Sequence, residues 1–289
     1  MHRIPDTLPP PPGASPKVVA FPTPLMSPSS DGTIQWGRIC YGAGMAGIGI
    51  QHYINGKFVA VILSPSPGSQ ALALFGGIAL VALGAAVALG LAARASALVL
   101  GTALLAALVL HNIPAQAKAV TWPIYVWNNE FKLMTLSSGA FAVAASLGSG
   151  GPEDRLLTNF ACYGIALTCA TFGSEHYMAT QFCADLVPAW IPAHMFWAYF
   201  GGTALIAAGV GMMLNILARP AAWLLGLMIF IWFLILHIPR AVADLHGNDG
   251  NELTSVFEAL SFSGIAFILS KTLPKKKSRL GISPLPINL

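Results

Sequence analysis

Charge is scarce in this chain of 289 residues. Lysine, arginine, aspartate and glutamate make up 9% of the residues, 55% are hydrophobic, and the mean hydropathy is +0.69. A soluble domain carries about 25% charged residues, so this composition excludes an ordinary water-exposed exterior. Nucleic-acid binding is excluded as well, because the formal net charge of +4 comes from scattered residues and a short basic tail rather than from one basic face.

Cysteine is also sparse, with four residues and no CxxC pair. Without that spacing, neither a zinc knuckle nor a thioredoxin-like motif is predicted. We interpret Cys40, Cys162 and Cys169 as packing residues of apolar helices. The chain has no HExxH motif either, so the sequence predicts no metal site.

Long apolar runs are abundant, and they predict an all-α, polytopic transmembrane bundle. The runs 71–91 and 221–236 contain no charged residue, and each is close to the roughly 20 residues that span a hydrocarbon core. The segments 55–70 and 179–194 are interpreted as loops or short re-entrant pieces. We predict eight spans, at about 35–54, 71–92, 95–117, 131–149, 157–178, 195–217, 220–238 and 252–273.

The predicted tails differ from the bundle in composition. Residues 1–34 hold nine of the 21 prolines and show no apolar periodicity, which predicts a disordered cytoplasmic tail. No apolar signal-peptide core follows the start, so we expect the first hydrophobic helix to direct membrane insertion. Residues 274–289 form a predicted basic C-terminal tail.

An internal repeat divides the predicted bundle into two four-helix units, 35–149 and 150–273. Its offset stays between 122 and 126 residues, which indicates a tandem duplication. Because each unit has an even number of spans, both units have the same predicted orientation. The matched segments are Gly49-Ile-Gln51-His52-Tyr53 with Gly173-Ser-Glu175-His176-Tyr177, Phe75-Gly-Gly77 with Phe200-Gly-Gly202, His111-Asn-Ile-Pro114 with His237-Ile-Pro239, and Asn129-Glu130 with Asn251-Glu252.

Basic residues lie mainly on one predicted side of the membrane. Eleven lysines and arginines fall on the side of both termini, and four fall on the opposite side. By the positive-inside rule, we expect an inner-membrane protein with both termini in the cytoplasm. The four residues on the other side are Lys57, Lys118, Lys132 and Arg240.

Ionisable residues within the predicted spans gather near the non-cytoplasmic side and form the candidate cofactor-binding set. Such residues are costly in lipid and usually face the bundle interior or a water-filled cavity. A histidine supplies a proton or a ligand near neutral pH, and a carboxylate fixes its tautomer. The candidates are His52, His111, Glu130, Glu175, His176, His237 and Glu252, none of them assigned as catalytic.

Each pair of candidates also has a structural interpretation. His52 and His176, both followed by tyrosine, suit an interfacial belt. His111 and His237 precede proline and suit hydrogen bonds to the carbonyls that proline frees. Glu130 and Glu252 start helices, where a carboxylate meets the positive end of the helix dipole.

The second unit resembles a known family along nearly its whole length. Three features mark the likeness: the stretch Gly173-Ser-Glu175-His176-Tyr177, the segment Leu186-Val-Pro188-Ala-Trp190-Ile-Pro192, and Phe196-Trp-Ala-Tyr-Phe-Gly-Gly202 before Ala218-Arg219-Pro220-Ala-Ala222. By these residues, the second unit is similar to the DoxX-like membrane proteins. The first unit departs from this pattern, with Gln51 in place of Glu175 and Ser64-Pro-Ser-Pro67 in place of the Val-Pro-Ala-Trp-Ile-Pro segment.

The resemblance implies an antiparallel four-helix bundle for each unit and a link to quinones. The family is named for proteins associated with a terminal quinol oxidase, and the related DoxD subunit works in thiosulfate:quinone oxidation. At most, the likeness marks Glu175, His176 and Pro188 to Pro192 as a site.

Three hypotheses for function remain open at this point. The first is a quinone-linked redox subunit whose His/Glu set handles protons or holds a cofactor; a quinone suits it better than haem or a metal ion. The second is a non-enzymatic scaffold or accessory subunit that binds lipid or another membrane protein. The third is a carrier of small solutes.

Overall fold

The computed structural model describes residues 31–119, 124–245 and 247–274, and these residues are mainly helical, without strands. The all-α prediction is therefore confirmed for this part of the chain. Most of the two predicted tails lies outside the described residues. The helices are α1 Gly32–Asn55, α2 Gln70–Leu89, α3 Ala93–Ala107, α4 Ile113–Ala119, α5 Asn128–Ser146, α6 Pro152–Met178, α7 Thr180–Leu186, α8 His194–Met213, α9 Ala218–Trp232, α10 Ile238–Ala243 and α11 Gly247–Thr272.

Six helical segments are long and apolar enough to cross a membrane. These segments identify a multi-pass membrane protein, while the predicted count of eight spans goes beyond them. The other two long helices, α1 and α5, are more polar and lie among other helices. For example, α1 buries Arg38, Gln51 and His52, and α5 buries Glu130. The six segments are Gln70–Leu89, Ala93–Ala119, Pro152–Met178, His194–Met213, Ala218–Ala243 and Gly250–Thr272.

The long helices form a closed ring of neighbours with contacts across its middle. Around the ring, the order is α1, α2, α3, α5, α6, α8, α9 and α11, and α11 packs again on α1. The main contact across the middle joins α5 to α11, and smaller ones join α6 to α11 and α1 to α5. Exchanging α1 with α6, α2 with α8, α3 with α9 and α5 with α11 leaves this set of neighbours unchanged. We call α1, α2, α3 and α5 the first bundle and α6, α8, α9 and α11 the second bundle.

The connection between the second and third helix of each bundle repeats a rare backbone geometry. Gly90 and Ala92 have φ of 82° and 44°, and Asn215 and Leu217, both 125 residues later, have φ of 53° and 52°. Positive φ is uncommon for residues other than glycine, and it strains a leucine or alanine. Its recurrence at the same two positions therefore marks two matching hairpins.

A π-helical turn interrupts the third helix of each bundle, again 125 residues apart. The turns are Leu108–Asn112, between α3 and α4, and Phe233–His237, between α9 and α10. Pro114 and Pro239 follow them, and each proline lacks the N–H that the regular helix needs and crowds the preceding turn. Each proline thus explains the wider local turn.

Matched glycines let the first two helices of each bundle approach closely. A Cβ added to Gly49 would lie 2.7 Å from the carbonyl oxygen of Gly77, and one added to Gly173 would lie 2.7 Å from that of Gly202. No side chain fits at such distances, so the helix backbones are in contact here. Small residues permit this packing in membrane helices.

Arginine side chains donate hydrogen bonds to carbonyls at the C-terminal ends of helices, on the side of the bundle where α5 ends and α6 begins. Arg38 donates to the carbonyl of Val87 at 2.6 Å, and Arg219 donates to that of Leu273 at 2.6 Å. Arg94 donates to the carbonyl of Ala144 at 2.9 Å and pairs with Asp154. The last carbonyls of a helix lack intrahelical partners, so these arginines satisfy groups that would otherwise be unpaired.

Candidate functional site

A cavity of about 610 Å³ lies inside the second bundle, with α5 and α7 beside it. Its size falls in the range of small-molecule sites, about 300–1,000 Å³. It adjoins the end of the bundle where Tyr125, Met178 and Phe182 are exposed. Most of its wall is apolar or aromatic, including Ile165, Phe172, Trp197, Leu205, Met228, Trp232, Leu236 and Phe262.

Six glutamate, histidine, lysine or asparagine side chains also line this cavity. Three of them belong to the predicted candidate set, namely Glu175, His176 and His237. The other three were not predicted as site residues: Asn128, Lys132 and Glu258. The cavity thus brings together polar residues from α5, α6, α11 and the π turn before α10.

Glu175 is a polar residue of this cavity whose hydrogen bonding is incomplete. Asn128 Nδ2 donates to its Oε2 at 3.2 Å, while its Oε1 is buried and has no hydrogen-bond partner among the described residues. Asn128 Oδ1 is likewise buried without a partner there. Leaving a buried acceptor unpaired costs about 1–3 kcal/mol, so both oxygens favour a ligand that donates hydrogen bonds.

An ion pair between α5 and α11 supplies the other charges of the cavity wall. Lys132 Nζ lies 2.9 Å from Glu258 Oε2, and both side chains are largely buried. Glu258 Oε1 has no hydrogen-bond partner among the described residues. Since Lys132 balances Glu258, the ionised carboxylate of Glu175 leaves the described wall with one excess negative charge. A charged pair in the interior persists only when its geometry is good.

His176 is held in one tautomer by its own helix. Its Nδ1–H donates to the carbonyl of Phe172 at 2.7 Å. In a neutral ring with a protonated Nδ1, Nε2 is an acceptor. It lies near Gly201 of α8, which is also part of the cavity wall. His176 therefore adds another acceptor to the site.

Cys183 of α7 is the cysteine that lines this cavity near its open end. Burial raises the pKa of the Cys183 thiol, and the nearby Glu175 carboxylate raises it further. A raised pKa keeps the thiol protonated at neutral pH, and a protonated thiol is a poor nucleophile. Cys183 is thus part of the wall and not a reactive group.

The counterpart of His176 in the first bundle has different surroundings. His52 Nδ1–H donates to the carbonyl of Ile48 at 2.8 Å, which repeats the bond made by His176. The His52 ring is 0% exposed and packs edge-on against Phe58, with ring centroids 5.2 Å apart. This burial contradicts the interpretation of His52 as an interfacial belt residue.

The segment after α1 fills the place that the cavity has in the second bundle. Phe58, Val59, Val61 and Ile62 are buried in the hydrophobic core. The Phe58 ring also contacts Gly76. A Cβ atom added to Gly76 would lie only 2.8 Å from Phe58 Cε1. The counterparts of His52 and Gly76, 124 and 125 residues later, are the cavity-lining His176 and Gly201.

The counterpart of Phe58 itself, 124 residues later, is Phe182 in α7. Phe182 lines the cavity and is 64% exposed, whereas Phe58 is 7% exposed. The aromatic side chain at this position is therefore packed inside the first bundle, and in the second bundle it lies exposed beside the cavity.

Gln51 of the first bundle stands where the second bundle has Glu175. Its Nε2 donates to the carbonyl of Gly250 and to Thr254 Oγ1, both at 3.1 Å. The residue is 1% exposed. As Glu175 does with Asn128, Gln51 thus pairs with the helix of the other bundle, but it is enclosed instead of lining a cavity.

The other predicted site residues do not line this cavity. The His111 Nε2–H donates to the carbonyl of Pro65 at 2.9 Å, which is not a carbonyl freed by Pro114. Glu130 is buried in the first turn of α5. Glu252 forms two hydrogen bonds with Arg240, at 2.9 and 2.6 Å.

The structure also corrects the predicted match between His111 and His237. Aligning the π turns places Asn112, not His111, at the position of His237. The repeat offset is 125 residues here, and the sequence match of the histidines had used 126. Asn112 is 0% exposed, and its Oδ1 accepts from the Ser64 N–H at 3.5 Å.

Comparison of the chain with protein-family models, with curated proteins and with solved structures found no match. The resemblance to the DoxX-like family stays a prediction. Among residues 31–119, 124–245 and 247–274, no three His, Cys, Asp or Glu side chains come together as a metal site. The cavity of the second bundle is therefore the feature on which a function rests.

Proposed function

We propose that this integral membrane protein binds a hydroquinone, the reduced form of a quinone, in the cavity of the second bundle. The observation that carries the proposal is the set of buried acceptors without partners: Glu175 Oε1, Glu258 Oε1 and Asn128 Oδ1. A hydroquinone presents two O–H donors on a flat, apolar ring. Such donors supply the hydrogen bonds that these acceptors lack.

The rest of the wall suits the ring. Phe172, Trp197 and Trp232 line the cavity, and aromatic side chains favour stacked or edge-on contacts with a second aromatic ring. The excess negative charge of Glu175 disfavours anions and favours a donor. The oxidised quinone has only acceptors, so we expect it to bind more weakly than the hydroquinone.

A quinone-linked redox subunit is the finer function that we propose. When the bound hydroquinone is oxidised, Glu175 and His176 accept its two hydroxyl protons, and its two electrons pass to a redox-active partner subunit. The likeness of the second unit to DoxX-like proteins supports this role. The residues that carry the likeness, Glu175 and His176, are also cavity-lining residues.

We also propose that α1 and α5 cross the membrane, which gives eight spans as two duplicated units. The recurring hairpins, π turns and glycine contacts support the duplication. Close packing on α2 and α6 supports the crossing of α1 and α5, because α2 and α6 are among the six apolar segments. The positive-inside rule then places both termini in the cytoplasm.

Calorimetric titration of the purified full chain tests the binding function. The probes are a methylated hydroquinone without a tail, its oxidised quinone and an alkyltrimethylammonium ion. We expect the hydroquinone to bind at least about tenfold more tightly than the quinone, a difference of about 1.4 kcal/mol. We also expect Glu175→Gln to weaken hydroquinone binding about tenfold, since a charged acceptor forms the stronger hydrogen bond.

The matched control is Glu153→Gln, which removes an exposed carboxylate from the other end of α6. This control leaves hydroquinone affinity unchanged. Preference for the ammonium ion over the hydroquinone would instead identify a cation site. Failure of all three probes to bind a folded protein would refute the binding function and leave the scaffold hypothesis.

A further inference from the structure

A second, apolar space lies on the outer side of the second bundle, between α8 and α9. It is a groove of about 650 Å³. Its lining residues on α8 run from Trp197 to Gly211, which corresponds to about 20 Å along the helix. Small residues such as Ala204 and Ala207 leave the groove open, and Leu224 of α9, 59% exposed, lines it where the surface faces lipid.

The groove and the polar cavity share part of their walls. Trp197, Met228 and Trp232 line both. The two tryptophan rings lie edge to face with centroids 6.2 Å apart. A molecule that occupied both spaces would therefore pass along this tryptophan pair, with its polar end beside Glu175 and its apolar end towards lipid.

The first bundle has smaller residues at the positions of this shared wall. Counting back 125 residues, Leu72 takes the place of Trp197, Ala103 that of Met228 and Ala107 that of Trp232. Of the two bundles, only the one with the cavity has three bulky residues at these positions. This correspondence is independent of the hydrogen-bonding argument for the ligand's head.

We propose that the groove between α8 and α9 holds the hydrocarbon tail of the ligand whose head occupies the cavity, and that the ligand enters from the lipid past Trp197 and Trp232. The inference rests on the proposed function, and it names the ligand class as a membrane-dissolved, tailed hydroquinone. The wall that the groove shares with the polar cavity selects this occupant over an unrelated lipid chain.

The test of the groove is the increase in binding affinity when a hydrocarbon tail is added to the hydroquinone. The probes are the tail-less hydroquinone and the same ring with a ten-carbon tail, titrated into the full chain in nanodiscs, with concentrations corrected for partition into lipid. We expect the tail to raise affinity at least about tenfold in the unmodified chain. Ala207→Phe, which fills the groove, should reduce that gain to less than about threefold.

Ala82→Phe is the matched control, since Ala82 is the exposed alanine of α2 that corresponds to Ala207 of α8. It should leave the gain from the tail unchanged. An unaltered gain in Ala207→Phe would overturn the groove as the tail site. Absence of tail-less binding in the unmodified chain would instead count against the proposed function, so the two failures are distinguishable.

A second measurement starts from the unmodified chain. A hydroquinone with a brominated tail should quench tryptophan fluorescence in the unmodified chain, and Trp232→Phe should reduce the quenched fraction. A brominated alkane without the ring is the control for general contact with lipid chains. Equal quenching by the alkane and the hydroquinone at equal membrane concentration would contradict the proposed tail site.

Discussion

The first and second bundles have the same succession of helices and the same unusual hairpins, yet one is filled where the other encloses a cavity. Phe58 packs against His52 in the first bundle, while Phe182 stays exposed beside the cavity of the second. The polar position next to each histidine differs as well, because Gln51 is enclosed whereas Glu175 lines the cavity, although each keeps one buried oxygen without a partner among the described residues.

This difference separates what the backbone determines from what the side chains add. Matched glycines and π turns give both bundles one frame, which includes the bond from each histidine to its own helix. Within that frame, the bundle has room for a ligand only where the segment that begins at Phe58 or Phe182 does not pack into it. We therefore propose that the first bundle is a packed support and that the second bundle binds the ligand.

The largest expected effect comes from opening the filled bundle. Phe58→Ala removes a buried aromatic side chain, which costs about 3–5 kcal/mol of unfolding free energy. Phe182→Ala removes an exposed side chain and should change that free energy by less than about 0.5 kcal/mol. Reversible unfolding in mixed detergent micelles measures both. Equal losses in the two variants would break the contrast between the bundles.

The glycine contacts should respond alike in both bundles. Gly77→Ala and Gly202→Ala each place a Cβ less than 3.0 Å from neighbouring atoms, so overpacking should cost each variant about 1–3 kcal/mol. Gly32→Ala is the control, because no atom lies within 4 Å of the added Cβ. A loss of unfolding free energy in only one of these two variants would show that the two bundles do not have the same helix contact at this point.

The glycines one position earlier should respond in opposite directions. A Cβ at Gly76 would lie 2.8 Å from the Phe58 ring, whereas one at Gly201 lies 3.5 Å from His176, an ordinary contact. Alanine favours a helix over glycine by about 1 kcal/mol. Gly201→Ala should therefore be neutral or stabilising and Gly76→Ala destabilising, as measured by the same unfolding assay.

A double variant sharpens this last comparison. If Phe58 causes the loss in Gly76→Ala, adding Gly76→Ala to Phe58→Ala should cost nothing further, since the two sites are in contact and not additive. A persistent, additive loss would mean that the filling of the first bundle does not explain the behaviour of Gly76.

Hydropathy and the cost of polar groups in lipid account for what the sequence could predict. Apolar runs locate six of the helices, and the cost of burying ionisable groups marked Glu175, His176 and His237, which line the cavity. The same reasoning also marked His111 and Glu252, which pair elsewhere, because a polar residue near a helix end is satisfied equally well by a local partner.

The remaining parts depend on packing that the sequence does not express. Lys132 and Glu258 stand in separate predicted spans, and their pairing follows from the parallel contact of α5 with α11. The two π turns lie 125 residues apart, so Asn112, and not His111, is the match of His237.

The segment that begins at Phe58 is more apolar than the one that begins at Phe182, which contains Asp185, but hydropathy alone does not show which segment fills its bundle. Their burial is set by how each segment packs against its own bundle. The contrast between a filled and an open bundle therefore emerges only in three dimensions.

The number of hydroquinone molecules bound per chain tests the central claim most directly. Gly201→Leu extends a side chain into the cavity of the second bundle, and the first bundle is already filled by Phe58. Calorimetry should give one bound tail-less hydroquinone per unmodified chain and no detectable binding to folded Gly201→Leu. One bound molecule per chain in both proteins would contradict the assignment of the site to the second bundle.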